Sequence, residues 1–291
     1  MRLVARRRPA RRPSGRAAPK VQPDRTGPVQ VELISIGREL LRGRIADDNA
    51  RHVARYLTLR GAIVRRVTTV DDDERCISEA LREALGRSPH LVVSSGGLGP
   101  TDNDRTLAAI ADALGSTLTL HAGARTLVED AYRRLARRRL SDGSGLTTAR
   151  EKICMLPVGS TPVPNPIGVS PGALLRLPGG AAVLALPGMP DEVRAVLEAA
   201  MPLLGSLVPQ RWVAQRRIES PTADESVLTP LLDRLADEFP AVWIESHPSG
   251  SRRHGARMRI GLEASGSSQQ DAERAVDVAL ERLLALASTC H

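Results

Sequence analysis

Aromatic residues make up only 2% of this 291-residue chain, which also has just three cysteines, two lysines and three asparagines. Three scattered cysteines exclude a disulfide framework or a CxxC zinc site, so a reducing, cytoplasmic compartment is expected. No apolar run approaches the roughly 18 residues of a spanning helix, so no membrane partner is expected. Without interleaved aromatics, the strip Arg252, Arg253, Arg257 and Arg259 lacks what a base-stacking RNA surface needs. The net charge of +8 is confined to one place: residues 1–28 hold nine basic residues and a single acid, Asp24, and the body that follows has 32 of each sign. A neutral body is no electrostatic funnel for nucleic acid. The Arg/Ala/Pro tail is expected to be disordered, either an inert extension or a contact for an anionic partner. Its five prolines and missing apolar core argue against a targeting peptide.

From Val29 onward a regular alternation begins. Strands are expected at 31–36, 63–70 and 91–95, with helices at 47–59 and 73–85 between them. This βαβαβ order predicts a parallel sheet covered by helices on both faces. A helix at 104–114, a strand near 117–120 and a helix at 125–139 follow, the last with its arginines as a solvated face. Residues 141–148 form a Gly/Ser loop, and 156–171 is too rich in proline and glycine for a helix or a central strand. Strands at 173–177 and 183–186 lead to a helix at 191–204. After Gly205 the order strand (212–218), helix (224–236), strand (242–246), strand (257–262) and helix (270–286) suggests a small α+β appendage. Three segments result: a tail at 1–28, an α/β domain at 29–204 and the appendage at 205–291. Trp212, Trp243, Cys76 and Cys154 are expected in cores, and Asp71-Asp-Asp73 as an acidic helix start.

The most informative segment runs from Leu91 to Thr106, an apolar strand passing through Gly96, Gly97 and Gly99 into a helix that begins among acids. Glycines at the carboxyl end of such a strand let a backbone approach phosphate with free N–H groups pointing at it. Glycines alone leave open a plain tight turn with Asp102 or Asn103 as helix cap. Asp102 and Asp104 tilt the reading, because acids beside a phosphate call for a divalent cation between them. No Gly-Lys-Ser/Thr is present, and the third glycine of a dinucleotide fingerprint is missing. In a chain stripped of asparagine, Asn49, Asn103 and Asn165 all stand in loop or helix-start contexts, where capping, Asx-turns and ligand contact are all open. Glu39 follows the first strand as a metal ligand, a general base or a plain exposed carboxylate, and Gly188 is placed to admit a ligand to the backbone. Gly168-Val-Ser-Pro-Gly172 fits the serine-hydrolase pattern, but it lacks the strand before and the helix after, and is rejected.

Taken in order, Ile36-Gly-Arg-Glu-Leu-Leu-Arg-Gly43 with Ile45-Ala-Asp-Asp-Asn49, Ser95-Gly-Gly-Leu-Gly-Pro-Thr101 with Asp104 and Thr106, Pro164-Asn-Pro-Ile-Gly168, and Leu186-Pro-Gly-Met-Pro190 resemble the amino-terminal domain of the competence/damage-inducible protein CinA. That domain belongs with the MoaB/Mog molybdopterin-binding fold. The resemblance implies a three-layer αβα sandwich with a small α+β domain appended, often as a homo-oligomer. No segment resembles the nicotinamide-nucleotide amidase domain of full-length CinA, so that deamidation is not expected.

The CinA branch resembles metal-dependent ADP-ribose pyrophosphatases, and the molybdopterin branch binds or adenylylates pterin phosphates. Carried over, Gly96, Gly97, Gly99 and Thr101 would cradle phosphate, Asp104 would serve a divalent ion (Mg²⁺, Mn²⁺ or Co²⁺), and Glu39 and Asn103 would complete the catalytic group. Asp47, Asn49, Asn165, Gly168 and Gly188 would contact nucleotide or pterin. The CinA pattern usually has an acid at position 103 and a small polar or acidic residue at position 38. Asn103 and Arg38 therefore each remove negative charge, although Arg38 could take phosphate itself. The expected partner is a small phosphorylated nucleotide or pterin and the leading activity is hydrolysis of a dinucleotide pyrophosphate. The alternatives are a binding module or transferase without cleavage and, third, a regulatory protein acting through its tail.

Overall fold

The computed structural model describes residues 28–141, 145–208, 211–220, 224–249 and 257–288. The tail through residue 27, the middle of the Gly/Ser loop, Arg252, Arg253 and Cys290 lie outside them. The chain begins with β1 (Gln30–Ile36), a short α1 (Arg38–Leu41), α2 (Asp48–Thr58), β2 (Ile63–Val70), α3 (Glu74–Gly86) and β3 (Leu91–Ser95). It continues with α4 (Thr106–Ala113), β4 (Leu118–Leu120), α5 (Ala122–Arg137), α6 (Thr148–Lys152), β5 (Met155–Pro157) and β6 (Thr161–Val163). β7 (Gly172–Arg176), β8 (Ala182–Leu186) and α7 (Pro190–Leu204) close the first unit. The second holds β9 (Trp212–Ser220), α8 (Glu225–Glu238), β10 (Val242–Ser249), β11 (Arg257–Gly266) and α9 (Gln269–Ser288).

The main sheet has the order β2-β1-β3-β8-β7-β6, parallel from β2 to β8 and antiparallel through β7 and β6. Alternation along the strands sends side chains into two cores. Val31, Leu33, Val93 and Leu184 pack with Val53 and Leu57 of α2 and Val196 and Leu197 of α7. Ile34, Ile36, Val92 and Val183 pack on the other face with Ile77 and Leu81 of α3 and Ile110 of α4. Helices on both faces make the three-layer αβα sandwich that the alternation predicts. Glu32, only 4% exposed in β1, is matched by Arg87 through paired bonds of 2.8 and 2.7 Å.

Local chemistry sets the helix starts that face the strand ends. Asp47 caps α2, its Oδ1 accepting from Ala50 N, and Asp73 caps α3 through Arg75 N and Cys76 N. Pro190 opens α7 where no amide partner is needed. The proline-rich segment after residue 156 contributes an edge strand, β6, where Pro162 needs no ladder donor on its open side. In the second unit β9, β11 and β10 form an antiparallel sheet whose inward residues, among them Ile260, Leu262 and Ala264, pack against α8 and α9.

Several expectations change. Trp212 and Trp243 are not core residues: they are 54% and 67% exposed, because inward positions on this sheet fall to the alternate residues. Cys76 is exposed in the first turn of α3, whereas Cys154 is buried beside Val128 and Ile153, and burial pushes its thiol up to about 11. Arg134 of α5 does not simply face solvent, since its guanidinium donates to the carbonyl oxygens of Asn165 and Gly168.

Candidate functional site

In the main sheet the chain runs from β1 outward to β2 and then returns to the other side of β1 as β3, so the carboxyl ends of β1 and β3 diverge into a crevice. A cavity of about 740 Å³ opens there, walled by the segments that follow β1, β2, β3 and β8 and by the start of α2. Glu39, Asp47, Asn49, Gly96, Gly97, Gly99, Asn103, Asp104 and Gly188 all line it. Thr101, Asn165 and Gly168 do not.

The glycine loop is built for close approach. Gly96 and Gly97 have φ of 106° and 66°, and an added Cβ would stand 2.3 Å from Ile36 O and 2.3 Å from Thr106 Oγ1 respectively. The buried Thr106 hydroxyl donates to Gly96 O at 2.8 Å, and Thr106 N donates to Gly97 O, which clamps the loop to the start of α4. Gly96 N is spent on Leu186 O and Pro187 O, whereas the N–H groups of Gly97, Leu98 and Gly99 meet no acceptor among the described residues. Asp104 does not cap α4: its Oδ2 takes Thr101 N at 2.9 Å and Thr101 Oγ1 at 2.6 Å, and Gly99 leaves room for the carboxyl group. Neither Asp102 nor Asn103 caps α4 either, the N-cap being Arg105 with no side-chain bond. Thr101 thus orients Asp104 rather than lining the cavity.

On the start of α2, Asn49 Nδ2 donates to Gly188 O at 2.8 Å and ties this helix to the loop before α7. Asn49 Oδ1 and Asp47 Oδ2 are buried without a partner among the described residues. Asn165, 6% exposed, makes the full set of bonds its amide allows: Oδ1 accepts from Ile167 N and Gly168 N, and Nδ2 donates to Ser170 O and Glu192 Oε2. It therefore shapes a loop and holds Glu192, which does line the cavity. Arg38 is turned out of the site into an ion pair with Asp71 at 2.8 Å, and it holds the Asp71 carboxyl below the usual range. It brings no charge to the cavity.

Three lining or adjoining residues escape sequence reasoning. Asp72 lines the cavity from an acidic run whose last member caps α3. Glu192 is one acid among 33 and carries no distinguishing signal. Lys152, whose ammonium donates to Thr101 O, had such a signal in the scarcity of lysine.

The electrostatics are lopsided: Glu39, Asp47, Asp48, Asp72, Asp104 and Glu192 line the cavity, and among the described residues no arginine or lysine does. Among the described residues no three His, Cys, Asp or Glu converge as a preformed metal cage. Carboxylate oxygens are the donors a hard cation takes, and among the described residues Asp104 Oδ1 has no partner.

A glycine-lined crevice at the carboxyl ends of parallel strands is where open α/β domains place their ligand sites. The chain belongs to the family described as the probable molybdopterin binding domain, whose model matches residues 32–206. The Thermoplasma acidophilum protein CinA, itself of unknown function, is 37% identical, covers 59% of this chain and 96% of its own, and superposes with a TM-score of 0.53. A Pyrobaculum calidifontis protein is 37% identical over 255 residues, 87% of this chain and 94% of the relative. A Pyrococcus horikoshii protein is 40% identical over 223 residues, 76% of this chain and 85% of the relative. The 255-residue alignment with the Pyrobaculum calidifontis protein is long enough to extend into the second unit. No helix among the described residues is long and apolar enough to cross a membrane.

Proposed function

We propose that the cavity binds a phosphorylated nucleotide or pterin together with a divalent cation, and that the chain hydrolyses a nucleotide pyrophosphate of the ADP-ribose type there. One observation carries this reading: among the described residues, unpartnered amides of Gly97, Leu98 and Gly99 offer an anion site inside a cavity lined by six carboxylates and no basic side chain. A phosphate in such surroundings needs a cation to screen it from the acids. When bound, Mg²⁺, Mn²⁺ or Co²⁺ supplies Lewis-acid stabilisation of charge on the phosphoryl oxygens.

The chain's own part is positional. The loop amides hold the phosphate, Thr101 fixes the carboxyl of Asp104, which would hold the cation, and Thr106 keeps the loop in its left-handed turn. Glu39, in the first turn after β1, accepts the proton of a water that attacks phosphorus. The bond to the leaving phosphate oxygen breaks, giving AMP and ribose 5-phosphate.

A second reading, binding or adenylyl transfer without hydrolysis, is favoured by the family description and by the amide at position 103 in place of an acid. Incubation with ADP-ribose and each metal, followed by nucleotide chromatography, separates the two. AMP release, increased by Asn103→Asp, supports the hydrolase. No AMP with any metal, in either protein, leaves the binding module.

A further inference from the structure

The cavity presents two kinds of polar surface. On the glycine loop the amides of Gly97, Leu98 and Gly99 offer donors. The side chains at the starts of α2 and α7 offer acceptors: among the described residues Asp47 Oδ2 and Asn49 Oδ1 are buried without partners, and Glu192 brings a carboxylate with one oxygen uncommitted. Amides satisfy phosphate, but buried unpaired acceptors ask for donors, which a bare phosphate does not carry.

Glu192 is held in place by structure with no other evident purpose. Asn165 Nδ2 donates to its Oε2 at 2.7 Å, and Arg134 braces the Asn165 and Gly168 carbonyls from α5. Gly168 supplies the notch: a Cβ there would lie 2.3 Å from the Glu192 Cδ and 2.4 and 2.6 Å from its two oxygens. The glycine shows no left-handed φ, so it is the carboxylate's space, and not the backbone conformation, that demands it.

We infer that Glu192, with Asp47 and Asn49, is the specificity element for the end of the ligand remote from its phosphate, accepting an adjacent pair of uncharged hydrogen-bond donors. A ribose cis-diol presents such a pair, and so do the amino and ring N–H groups of a pterin. Asn165 and Gly168 are positioning residues that act through Glu192 and do not touch the ligand. The inference rests on the phosphate reading of the glycine loop and extends it to the other end of the same molecule.

The test is calorimetric titration of the full chain with pyrophosphate, AMP, 2′,3′-dideoxy-AMP and a pterin phosphate, each with and without Mg²⁺. In Glu192→Gln the amide oxygen keeps the bond from Asn165 and the amino group turns to the cavity, so an acceptor becomes a donor without a change of shape. Affinity for the ligand with the paired donors is expected to fall at least about tenfold, as for loss of a hydrogen bond to a charged group, while pyrophosphate binding is unchanged. Gly168→Ala, which evicts the carboxylate by its Cβ, gives the same split with an unchanged melting temperature.

If AMP weakens and dideoxy-AMP is indifferent to the substitution, the donors are ribose hydroxyls; if only the pterin phosphate weakens, they are pterin nitrogens. Equal affinities of Glu192→Gln and wild type for both AMP and the pterin phosphate overturn the inference. So does a loss shared by pyrophosphate and seen only with Mg²⁺, which would make Glu192 a cation ligand. Absence of pyrophosphate binding by the wild type overturns the phosphate reading itself, and this inference with it.

Discussion

Along β1, β3 and β8 of the six-stranded sheet nearly every residue is buried, whereas β11 at the centre of the three-stranded sheet buries only every second one. The first sheet is covered by helices on both faces, and the second has α8 and α9 on one face while Trp243 and Glu245 stand exposed on the other. A sheet covered twice has no face left for a ligand, so its chemistry moves to the loops at the strand ends, where backbone amides and helix starts converge. A sheet covered once keeps an open face and needs no such convergence.

The contrast is sharpest in stability. Leu184, fully buried in β8, fills the centre of the first sheet, and Leu184→Ala is expected to cost about 3 kcal/mol in urea denaturation. Trp243→Ala, on the open face of the second sheet, should change stability by no more than about 0.5 kcal/mol despite removing the larger side chain. A loss comparable with that of Leu184→Ala would mean that the open face is covered.

The smallest effect is in pH. Arg282 and Arg234 hold the carboxyl of Glu238 in α8 down to about 2 from an ordinary 4.5. A carboxylate depressed in the folded state contributes stability that is complete above its unfolded value and is lost as pH falls towards its folded one. The second unit should therefore loosen between about pH 4.5 and 2, slightly because the pair is exposed to solvent. Glu238→Gln should flatten that part of the melting-temperature profile, and an unchanged slope would assign the acid sensitivity to other carboxylates.

Much of this was legible beforehand where the signal is local. The 3.6 and 2.0 periodicities place the long helices and the strands of the main sheet to within about two or three residues in most cases. Glycines after an apolar strand mark the cradle because few other residues tolerate the φ of Gly96 and Gly97. The two short helices, α1 and α6, show too little periodicity to be seen. Asn165 stood out correctly as a rare residue in a loop, but whether it touches ligand or holds another side chain depends on Glu192, which is 27 residues away in the chain.

Composition, periodicity and motif order alone were thus enough to point to a three-layer α/β architecture, its family and the glycine loop at the end of β3, since each is encoded over short stretches of chain. Three-dimensional packing decided which carboxylates meet in the cavity, that Arg38 is drawn away to Asp71, and that Thr101, Asn165 and Gly168 stand beside lining residues without lining the cavity themselves. Those outcomes arise from contacts between residues tens of positions apart, and whether a polar atom is satisfied by a neighbour or left waiting for a ligand is a property of that meeting and not of either residue.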